Sequence, residues 1–358
     1  MKNIKVYYSK CEAVARLITS FHMLEKDGLF SLDLIENDGS SRKVLSAAIV
    51  EAEFEGKRIA FDMGDRWIFS QPDNVSYLTE IDAYFARDYS DIKSIVTPIV
   101  FNDNPKVMPY GFNYFSTYYG NPVMKPTEKL ALLKYRLKNL CGYSRCTNPR
   151  YFECTPQKKE KEINILFMAR LWDPSTIIID PAVSNEINLY RQYMKDEWSC
   201  INQSRIAVVR LLKKQFGTDF YGGVIQDAFS EKMCPDLILP KNAVRKKAYL
   251  DRMKLSDICI GTMGLHKSIG WKMGEYVASS RAIVSEPLAY VLPGSFAEGK
   301  NYLEFTSPEM CCEKVTSLYS NPDRLYKMKQ ENFKYYQEFL EPKKQLLNAL
   351  IAAGFLIS

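Results

Sequence analysis

Two short apolar segments, separated by a glycine loop and a helical pattern, constrain the fold of this 358-residue chain more than any other feature. The segments at residues 258–260 and 282–284 are rich in β-branched residues, which is typical of buried strands. Between them, Ile269, Met273 and Val277 recur at every fourth position and form one apolar stripe on a helix. This order predicts a βαβ unit, which binds ligands where the loop meets the helix N-terminus.

The same helical pattern carries a second, charged stripe. Lys267, Trp271 and Glu275 recur at the same spacing, and Lys272 precedes Glu275 by three residues. A cation and a carboxylate beside a glycine loop suit a ligand that carries both phosphate groups and a hydroxylated sugar. These residues predict a binding site for such a ligand at the helix N-terminus.

This stretch resembles the carboxyl-terminal half of bacterial GT-B glycosyltransferases of group 1, particularly members that share this half with CgeB-like proteins. The match comprises the apolar strand at residues 282–284 and two runs before it, Lys272-Met273-Gly274-Glu275 and Ala278-Ser279-Ser280-Arg281. The resemblance implies that Glu275 binds the ribose hydroxyls of a nucleotide-sugar donor. Many retaining members carry another glutamate eight residues earlier, where this chain has Lys267. The stereochemical outcome therefore stays open.

The resemblance also implies an α/β fold of GT-B architecture, in which two Rossmann-like domains face each other across a cleft. A C-terminal helix is expected to cross back to the first domain after a break at Pro342. A chain of this length is able to bury one core in each of two domains. We expect an acceptor-side domain, a connector, a donor domain and the crossing helix at residues 1–113, 114–160, 161–340 and 341–358.

Arg170 directly follows the apolar run at residues 163–169, which predicts a strand buried in a parallel sheet. A cation at the end of the first strand of a nucleotide-binding unit is well placed for a diphosphate, and the related transferases keep a similar arginine-leucine pair here. The alternative is a surface arginine that pairs with Asp173.

Two further residues are expected near the donor. Tyr249 lies in a predicted helix of aromatic and basic residues, which either reaches the base and phosphates or is an ordinary amphipathic helix with a solvated face. Asn301 belongs to a run at residues 299–305 that resembles a turn and strand flanking the donor site in the same family.

Glycosyl transfer expels a nucleoside diphosphate, so the protein must stabilise negative charge on the leaving group. The chain has no Asp-x-Asp motif, the usual metal-nucleotide signature of the other main glycosyltransferase architecture. We therefore expect no cofactor and no divalent metal. The leaving group is expected to contact Arg170, Lys272 or Lys267, the amides of the loop at Gly264, and His266.

An inverting transferase needs a general base on the first domain, facing the cleft. Asp62 and Asp65 are the candidates, because they follow the predicted strand at residues 58–61 in a glycine-containing loop. For each of them the alternative is a carboxylate that caps a turn. The chain has two histidines, and of these His266 is the one expected near the donor.

Composition excludes several classes of protein. The net charge of +6 is mild, and the basic residues are spread along the chain, so we expect no nucleic-acid partner. The nine cysteines follow no pairing pattern, which favours reduced thiols in the cytosol. No apolar run reaches the roughly 20 residues of a membrane-spanning helix. We expect a cytoplasmic protein, with peripheral contact at the inner membrane face left open.

Three functions remain compatible with these patterns. The first is a glycosyltransferase that moves a sugar from a nucleotide-sugar donor to a saccharide, lipid-linked or other hydroxyl acceptor. The second is a sugar-nucleotide epimerase of GT-B architecture, which would need paired acids beside the sugar ring. The third is a non-catalytic nucleotide- or nucleic-acid-binding module.

Overall fold

The computed structural model describes residues 2–37, 45–64, 76–90, 106–180 and 184–356. In these residues the chain forms two α/β units, each around one sheet. The strands of the first sheet are β1 (Asn3–Tyr8), β2 (Ser31–Glu36), β3 (Ile49–Phe54), β4 (Lys57–Asp62), β5 (Ala83–Ala86) and β6 (Val107–Pro109). Those of the second sheet are β7 (Ile165–Ala169), β8 (Phe220–Val224), β9 (Ile258–Gly261), β10 (Ala282–Ser285) and β11 (Leu303–Glu304).

The helices of the described residues surround these sheets. They are α1 (Ala15–Lys26), α2 (Lys129–Leu140), α3 (Tyr143–Thr147), α4 (Asn185–Phe216), α5 (Ala228–Met233), α6 (Lys246–Leu255), α7 (Trp271–Ala278), α8 (Pro308–Tyr319), α9 (Pro322–Tyr335) and α10 (Pro342–Ala352). A π-helical turn, Tyr336–Leu340, follows α9. None of the helices in the described ranges is both long enough and apolar enough to cross a lipid bilayer.

The first sheet has the strand order β2-β1-β3-β4-β5-β6 and is mixed. Its outer pairs are parallel, whereas β3 runs antiparallel to both of its neighbours, β1 and β4. The antiparallel pairing of β3 and β4 has a local cause. The two strands are joined by Glu55 and Gly56, which both have positive φ. A two-residue turn of this kind produces a hairpin. The first unit thus departs at its centre from an all-parallel Rossmann sheet.

The second sheet is parallel throughout, in the order β8-β7-β9-β10-β11. Every residue of β7 is buried, as the continuous apolar run predicted. The predicted βαβ unit is confirmed, because β9 and β10 pair in parallel on either side of α7. In this strand order the chain leaves β7 toward one edge and returns beside it at β9, so the ligand-binding switch point lies between these two strands.

The last helix crosses back to the first unit, as expected. Its residues Leu346 and Leu350 are fully buried in the core of the first sheet. The side-chain amide of Gln345 donates hydrogen bonds to the carbonyls of Tyr110 and Phe112, at 2.9 and 3.1 Å. The crossing follows the predicted break, because α10 begins at Pro342.

The loop after β5 brings the two units together. The backbone amide of Val291 donates to the carbonyl of Tyr89 over 2.9 Å, and the Ser90 hydroxyl donates to the carbonyl of Ala289 over 3.3 Å. The carboxyl edge of the first sheet therefore faces the second unit. This confirms the predicted fold class of two α/β units that face each other across a cleft.

Candidate active site

A cavity of about 440 Å³ lies at the carboxyl ends of β7 and β9, at the switch point of the second sheet. It is lined by the end of β7 and the loop after it, the end of β9 and the loop after it, and the first turn of α7. Arg205 of α4 and Arg87 of the first unit complete the lining. Pockets for small molecules have volumes of about 300 to 1,000 Å³. This cavity is therefore the candidate site, and both units contribute to it.

Four cationic side chains line the cavity, and each comes from a different part of the fold. Arg87 follows β5, Arg170 follows β7, Arg205 lies on α4, and Lys272 lies on α7. No Asp or Glu is among the described residues that line it. Positive charges gathered in a partly enclosed space produce a strongly positive local potential. The cavity therefore suits a ligand with more than one negative charge.

Lys272, a predicted donor-binding residue, lies at the inner wall of this cavity. Its Nζ donates a hydrogen bond to the carbonyl of Met168 and lies 5.5 Å from the centre of the Tyr249 ring. Burial lowers the pKa of Lys272 to about 8; the Glu275 carboxylate acts in the opposite direction, and the nearby Arg205 guanidinium adds to the lowering. A polyanion bound in the cavity would raise this pKa. Ligand binding and protonation of Lys272 therefore favour each other.

Arg170 is the cation most open to a ligand. Its side chain is exposed at the mouth of the cavity. Asp173, the alternative partner considered from the sequence, instead accepts a hydrogen bond from the Ser175 amide at 2.9 Å and caps its own turn. These bonds to Ser175 lower the pKa of Asp173. Among the described residues, no ion pair or hydrogen bond is formed by the Arg170 guanidinium, which leaves its donors available to a ligand.

Sequence patterns did not identify Arg205, whose side chain connects the two loops that line the cavity. Its guanidinium donates to the carbonyl of Arg170 at 2.6 Å, to the carbonyl of Met263 at 2.9 Å and to the hydroxyl of Thr262 at 3.0 Å. One side chain of α4 therefore holds both the end of β7 and the loop after β9.

A signal for Arg205 was present in the sequence. Arg205 lies on the same face of α4 as the buried residues Asn202, Ile206 and Val209, at helical spacing. Arginine is rarely buried unless its donors are satisfied. A cation within an apolar stripe is therefore a reason to expect a specific partner or ligand.

Arg87 was also missed, although the charged pair at the end of its strand is visible in the sequence. Its Nη2 donates to the backbone carbonyl of Ile269, just before α7. Burial lowers the pKa of the Arg87 guanidinium, while the neighbouring carboxylates of Asp88 and Asp62 oppose this effect. Through Arg87 the first unit contributes to the lining of the cavity. The contact between Arg87 and Ile269 joins distant segments of the chain, so no local sequence pattern predicts it.

The glycine loop after β9 is held mainly by the protein itself. The amide of Met263 donates to Glu286 at 2.8 Å, that of Gly264 to the carbonyl of Ser268 at 2.8 Å, and that of His266 to Glu197 at 3.0 Å. These amides, which were expected to meet the leaving group, already have partners. The anion-binding capacity of the site therefore lies with its side chains and with α7.

Three predicted residues of this loop are placed differently. Gly264 lines the cavity, and a Cβ there would lie 2.5 Å from the Ser268 hydroxyl, so a larger residue would force this side chain to move. His266 is buried, its ring packs parallel to that of Tyr190, and it does not line the cavity. Lys267 is exposed and also lies outside the cavity lining.

The N-terminus of α7 opens toward the cavity. Its capping residue, Gly270, has no side chain to accept a bond from the first amides, and Gly270, Trp271 and Lys272 all line the cavity. Unpaired amides at the start of a helix attract anions. The helix N-terminus and the four cationic side chains therefore both favour binding of an anion in the cavity.

Glu275 does not line the cavity but lies against it through Lys272. One carboxylate oxygen pairs with the Lys246 ammonium at 2.5 Å, and the other accepts a hydrogen bond from the Tyr249 hydroxyl at 2.7 Å. Only a small part of the Glu275 side chain is exposed. The carboxylate predicted to bind ribose and the predicted Tyr249 thus lie together, and Lys246, a basic residue of the same predicted helix as Tyr249, joins them.

Asp62 lies at the end of β4 and is buried. Its carboxylate accepts hydrogen bonds from the Tyr84 hydroxyl at 2.6 Å and from the Gly64 amide at 2.9 Å. Burial raises the pKa of Asp62, while these bonds and the charge of Arg87 oppose the rise. Asp62 lies beside Arg87 but does not line the cavity. The other predicted base, Asp65, lies outside the described residues.

Asn301 is buried away from the cavity lining. Its side chain accepts a bond from the Ala297 amide at 3.0 Å and donates to the Asn332 side chain at 3.1 Å. These bonds connect the turn before β11 to α9, so the role of Asn301 in the structure is to support the fold.

No group of three or more His, Cys, Asp or Glu side chains in the described ranges is arranged to hold a metal ion.

Comparison with protein-family models and with curated proteins found no match. Among solved structures, the chain is similar to a UDP-GlcNAc 2-epimerase from Neisseria meningitidis bound to UDP-GlcNAc, at 11% identity and a TM-score of 0.41, covering 98% of this chain and 100% of that chain. It is also similar to the pneumococcal O-GlcNAc transferase GtfA in complex with UDP and GlcNAc, at 9% identity and a TM-score of 0.33, covering 90% and 66%.

A third similar structure is the C-terminal domain of a group 1 family glycosyl transferase, LpcC, from Francisella tularensis. It shares 17% identity with this chain at a TM-score of 0.31, and the match covers 38% of this chain and 77% of that domain. These similarities are distant, and we therefore infer the function from the residues of the cavity.

Proposed function

We propose that this protein is a glycosyltransferase that binds a nucleoside-diphosphate-sugar donor in the cavity at the ends of β7 and β9. The observation that carries the proposal is the convergence of four cations, with no carboxylate among the described residues that line the cavity. A diphosphate is a compact ligand with several negative charges, and it matches such a site. In this proposal residues 161–340 form the donor domain and residues 1–113 the acceptor domain.

The same residues account for departure of the nucleoside diphosphate without a divalent metal or other cofactor. As the glycosidic bond to the donor phosphate breaks, negative charge grows on the leaving oxygen. The guanidinium of Arg170, the ammonium of Lys272 and the first amides of α7 all line the cavity and would stabilise this charge in the proposed donor complex. Fixed donors in a partly enclosed site stabilise a transition state without reorganising.

The acceptor side is formed by the first unit in this proposal. Arg87 is its described contribution to the cavity, and closure of the two units would exclude water from the reaction. The acceptor is a saccharide, a lipid-linked sugar or another hydroxyl compound. Nucleic acid is not proposed as a partner.

One observation favours the epimerase as a second candidate. Asp62 and Asp88 are both buried beside Arg87, and the charge of Asp62 adds to the burial that raises the pKa of Asp88. Two neighbouring acids of this kind are what epimerisation of a sugar ring requires. Neither acid lines the cavity, and the transferase therefore remains the first proposal.

A thermal-shift screen tests the donor site without knowledge of the acceptor. UDP, GDP, CMP, dTDP and their common sugars would be added with and without EDTA, because a ligand that binds the folded state raises the unfolding temperature. We expect one nucleotide family to stabilise the protein, with no effect of EDTA. Stabilisation by none of them would contradict the donor site.

Matched variants connect this result to the cavity. Arg170→Gln should abolish most of the ligand-induced shift and leave the unfolding temperature of the free protein unchanged, since Arg170 is exposed. Lys267→Gln is the control, because Lys267 is exposed and outside the cavity lining. With the donor identified, hydrolysis or transfer of its sugar supports the transferase, whereas interconversion of two free sugar nucleotides supports the epimerase.

A further inference from the structure

Helix α2 presents its apolar side chains to solvent. Four of its leucines are exposed, Leu130 by 70%, Leu133 by 56%, Leu137 by 53% and Leu140 by 84%. No residue of this helix is buried. Exposed leucines are ordinary when they are scattered, but four on one short helix form a patch of the kind that marks an interaction site.

The four leucines lie on one side of the helix. At about 100° of rotation per residue they fall within an arc of about 80°, which we call the leucine face. The opposite side contains the half-buried residues Ala131, Leu132, Tyr135 and Asn139. A surface helix of a globular protein normally turns its apolar stripe toward the core. Helix α2 does the reverse, so its leucine face is not explained by packing against the described part of the chain.

The helix is attached to the protein through its other side. The rings of Tyr135 and Tyr119 stack at 6.0 Å, and the Gly120 amide donates to the Tyr135 hydroxyl over 3.3 Å. Tyr119 itself is 59% exposed. These contacts hold α2 against the protein with the leucine face turned outward.

Cations border the leucine face on both sides. At about 100° per residue, Lys129 and Arg136 lie on one flank and Lys134 and Lys138 on the other. The helix contains no acidic residue. A second copy of the chain placed on this face would bring like charges together, whereas an anionic surface would meet complementary charge on both flanks.

We propose that α2 binds the surface of an anionic lipid bilayer. The leucine face enters the boundary between headgroups and acyl chains, and the four cations contact the anionic headgroups. A helix with one apolar face, basic flanks and low overall hydrophobicity lies in the plane of the membrane in this way. This surface is separate from the donor cavity, so the inference does not depend on the proposed function.

Co-sedimentation of the full chain with vesicles tests the proposal. We expect binding to vesicles of phosphatidylcholine mixed with phosphatidylglycerol, little binding to pure phosphatidylcholine, and weakening by salt. The variant Leu133→Gln/Leu137→Gln should lower the partition coefficient by about tenfold or more, because each leucine loses favourable apolar burial. Lys134→Gln/Arg136→Gln should lower it by about fivefold for each cation removed.

Leu255→Gln is the matched control. Leu255 is a leucine of similar exposure, 62%, at the end of α6, and its replacement should leave vesicle binding unchanged. The unfolding temperature of each variant should equal that of the unmodified protein, because the leucine face supports no core. Equal vesicle binding by the leucine variant, or no binding of the unmodified chain to anionic vesicles, would overturn the proposal. So would a dimer in gel filtration that the leucine variant converts to a monomer.

Discussion

The guanidinium of Arg205 on α4 donates a hydrogen bond to the backbone carbonyl of Arg170 over 2.6 Å. This bond crosses the switch point of the second sheet, because the same guanidinium also binds the carbonyl of Met263 in the loop after β9. It further lies 4.4 Å from the centre of the Trp172 ring. The geometry of the cation-lined cavity therefore depends on one side chain from a distant helix.

Replacement of Arg205 by lysine should loosen the cavity. A lysine has one ammonium where the guanidinium reaches three acceptors in one plane, so at least two bonds are lost, at a cost of about 2 kcal/mol. We expect a lower unfolding temperature and a smaller donor-induced shift, both measured by thermal unfolding. Arg210→Lys is the control on the same helix, because among the described residues Arg210 pairs only with Asp236, on the exposed surface. Equal effects of the two substitutions would contradict the role given to Arg205.

Donor affinity should fall as the pH rises through about 8, the pKa of Lys272 in the free protein. Burial has lowered this pKa, so Lys272 is charged below that pH and loses its proton above it. Calorimetric titrations on either side of this pH measure the effect. Lys272→Arg should flatten the profile, because arginine stays charged. An unchanged pH profile in this variant would show that Lys272 does not contact the anionic part of the ligand.

Replacement of Asp88 by asparagine should stabilise the protein at neutral pH. Both Asp88 oxygens are buried and accept no hydrogen bond from another described residue, and burial raises the pKa of this carboxyl well above its ordinary value. A raised pKa means that the folded protein binds this proton more tightly than the unfolded chain does. The stability that this group supports is present below the unfolded pKa of about 3.9 and is lost as the pH rises through the folded pKa.

The Asp88→Asn variant should therefore raise the free energy of unfolding at neutral pH by about 1 to 3 kcal/mol. The gain should shrink as the pH is lowered toward the unfolded pKa, which thermal unfolding across this range measures. Asp62→Asn should instead lower the free energy of unfolding. Both Asp62 oxygens accept hydrogen bonds, and asparagine has only one side-chain oxygen to accept them. A loss of stability in Asp88→Asn at neutral pH would contradict the prediction.

Replacement of Glu275 by glutamine tests the ribose assignment. The amide keeps an acceptor for Tyr249 but loses the ion pair with Lys246, and we expect donor affinity to fall by about tenfold. Calorimetry with the stabilising nucleotide measures this. Lys246→Met breaks the same ion pair and leaves the carboxylate in place. Unchanged donor binding in Glu275→Gln would exclude Glu275 as the residue that binds the ribose.

Local patterns predicted the elements of the second unit well. Helix α4 lies between two local signals, because Ser184 caps its start and Gly217, with positive φ, ends it. The strands on either side of α7 also lie where the apolar runs placed them. Periodicity and capping act between residues a few positions apart, and such interactions are visible in the sequence.

The sequence by itself determined the βαβ unit with Lys272 in the first turn of its helix, the position of Arg170 directly after a buried strand, and the helix break at Pro342. Only the tertiary structure decided that Arg87 and Arg205 line the same cavity. It also decided that both oxygens of the Glu275 carboxylate are bonded, one to Lys246 and the other to Tyr249. The exposure of the α2 leucines to solvent is the third such feature. The physical reason is that charge convergence, burial and the orientation of a helix arise from contacts between segments far apart in the chain. The periodicity of α2 shows that its leucines share one side, but only the packing of Tyr135 against Tyr119 decides which way that side points.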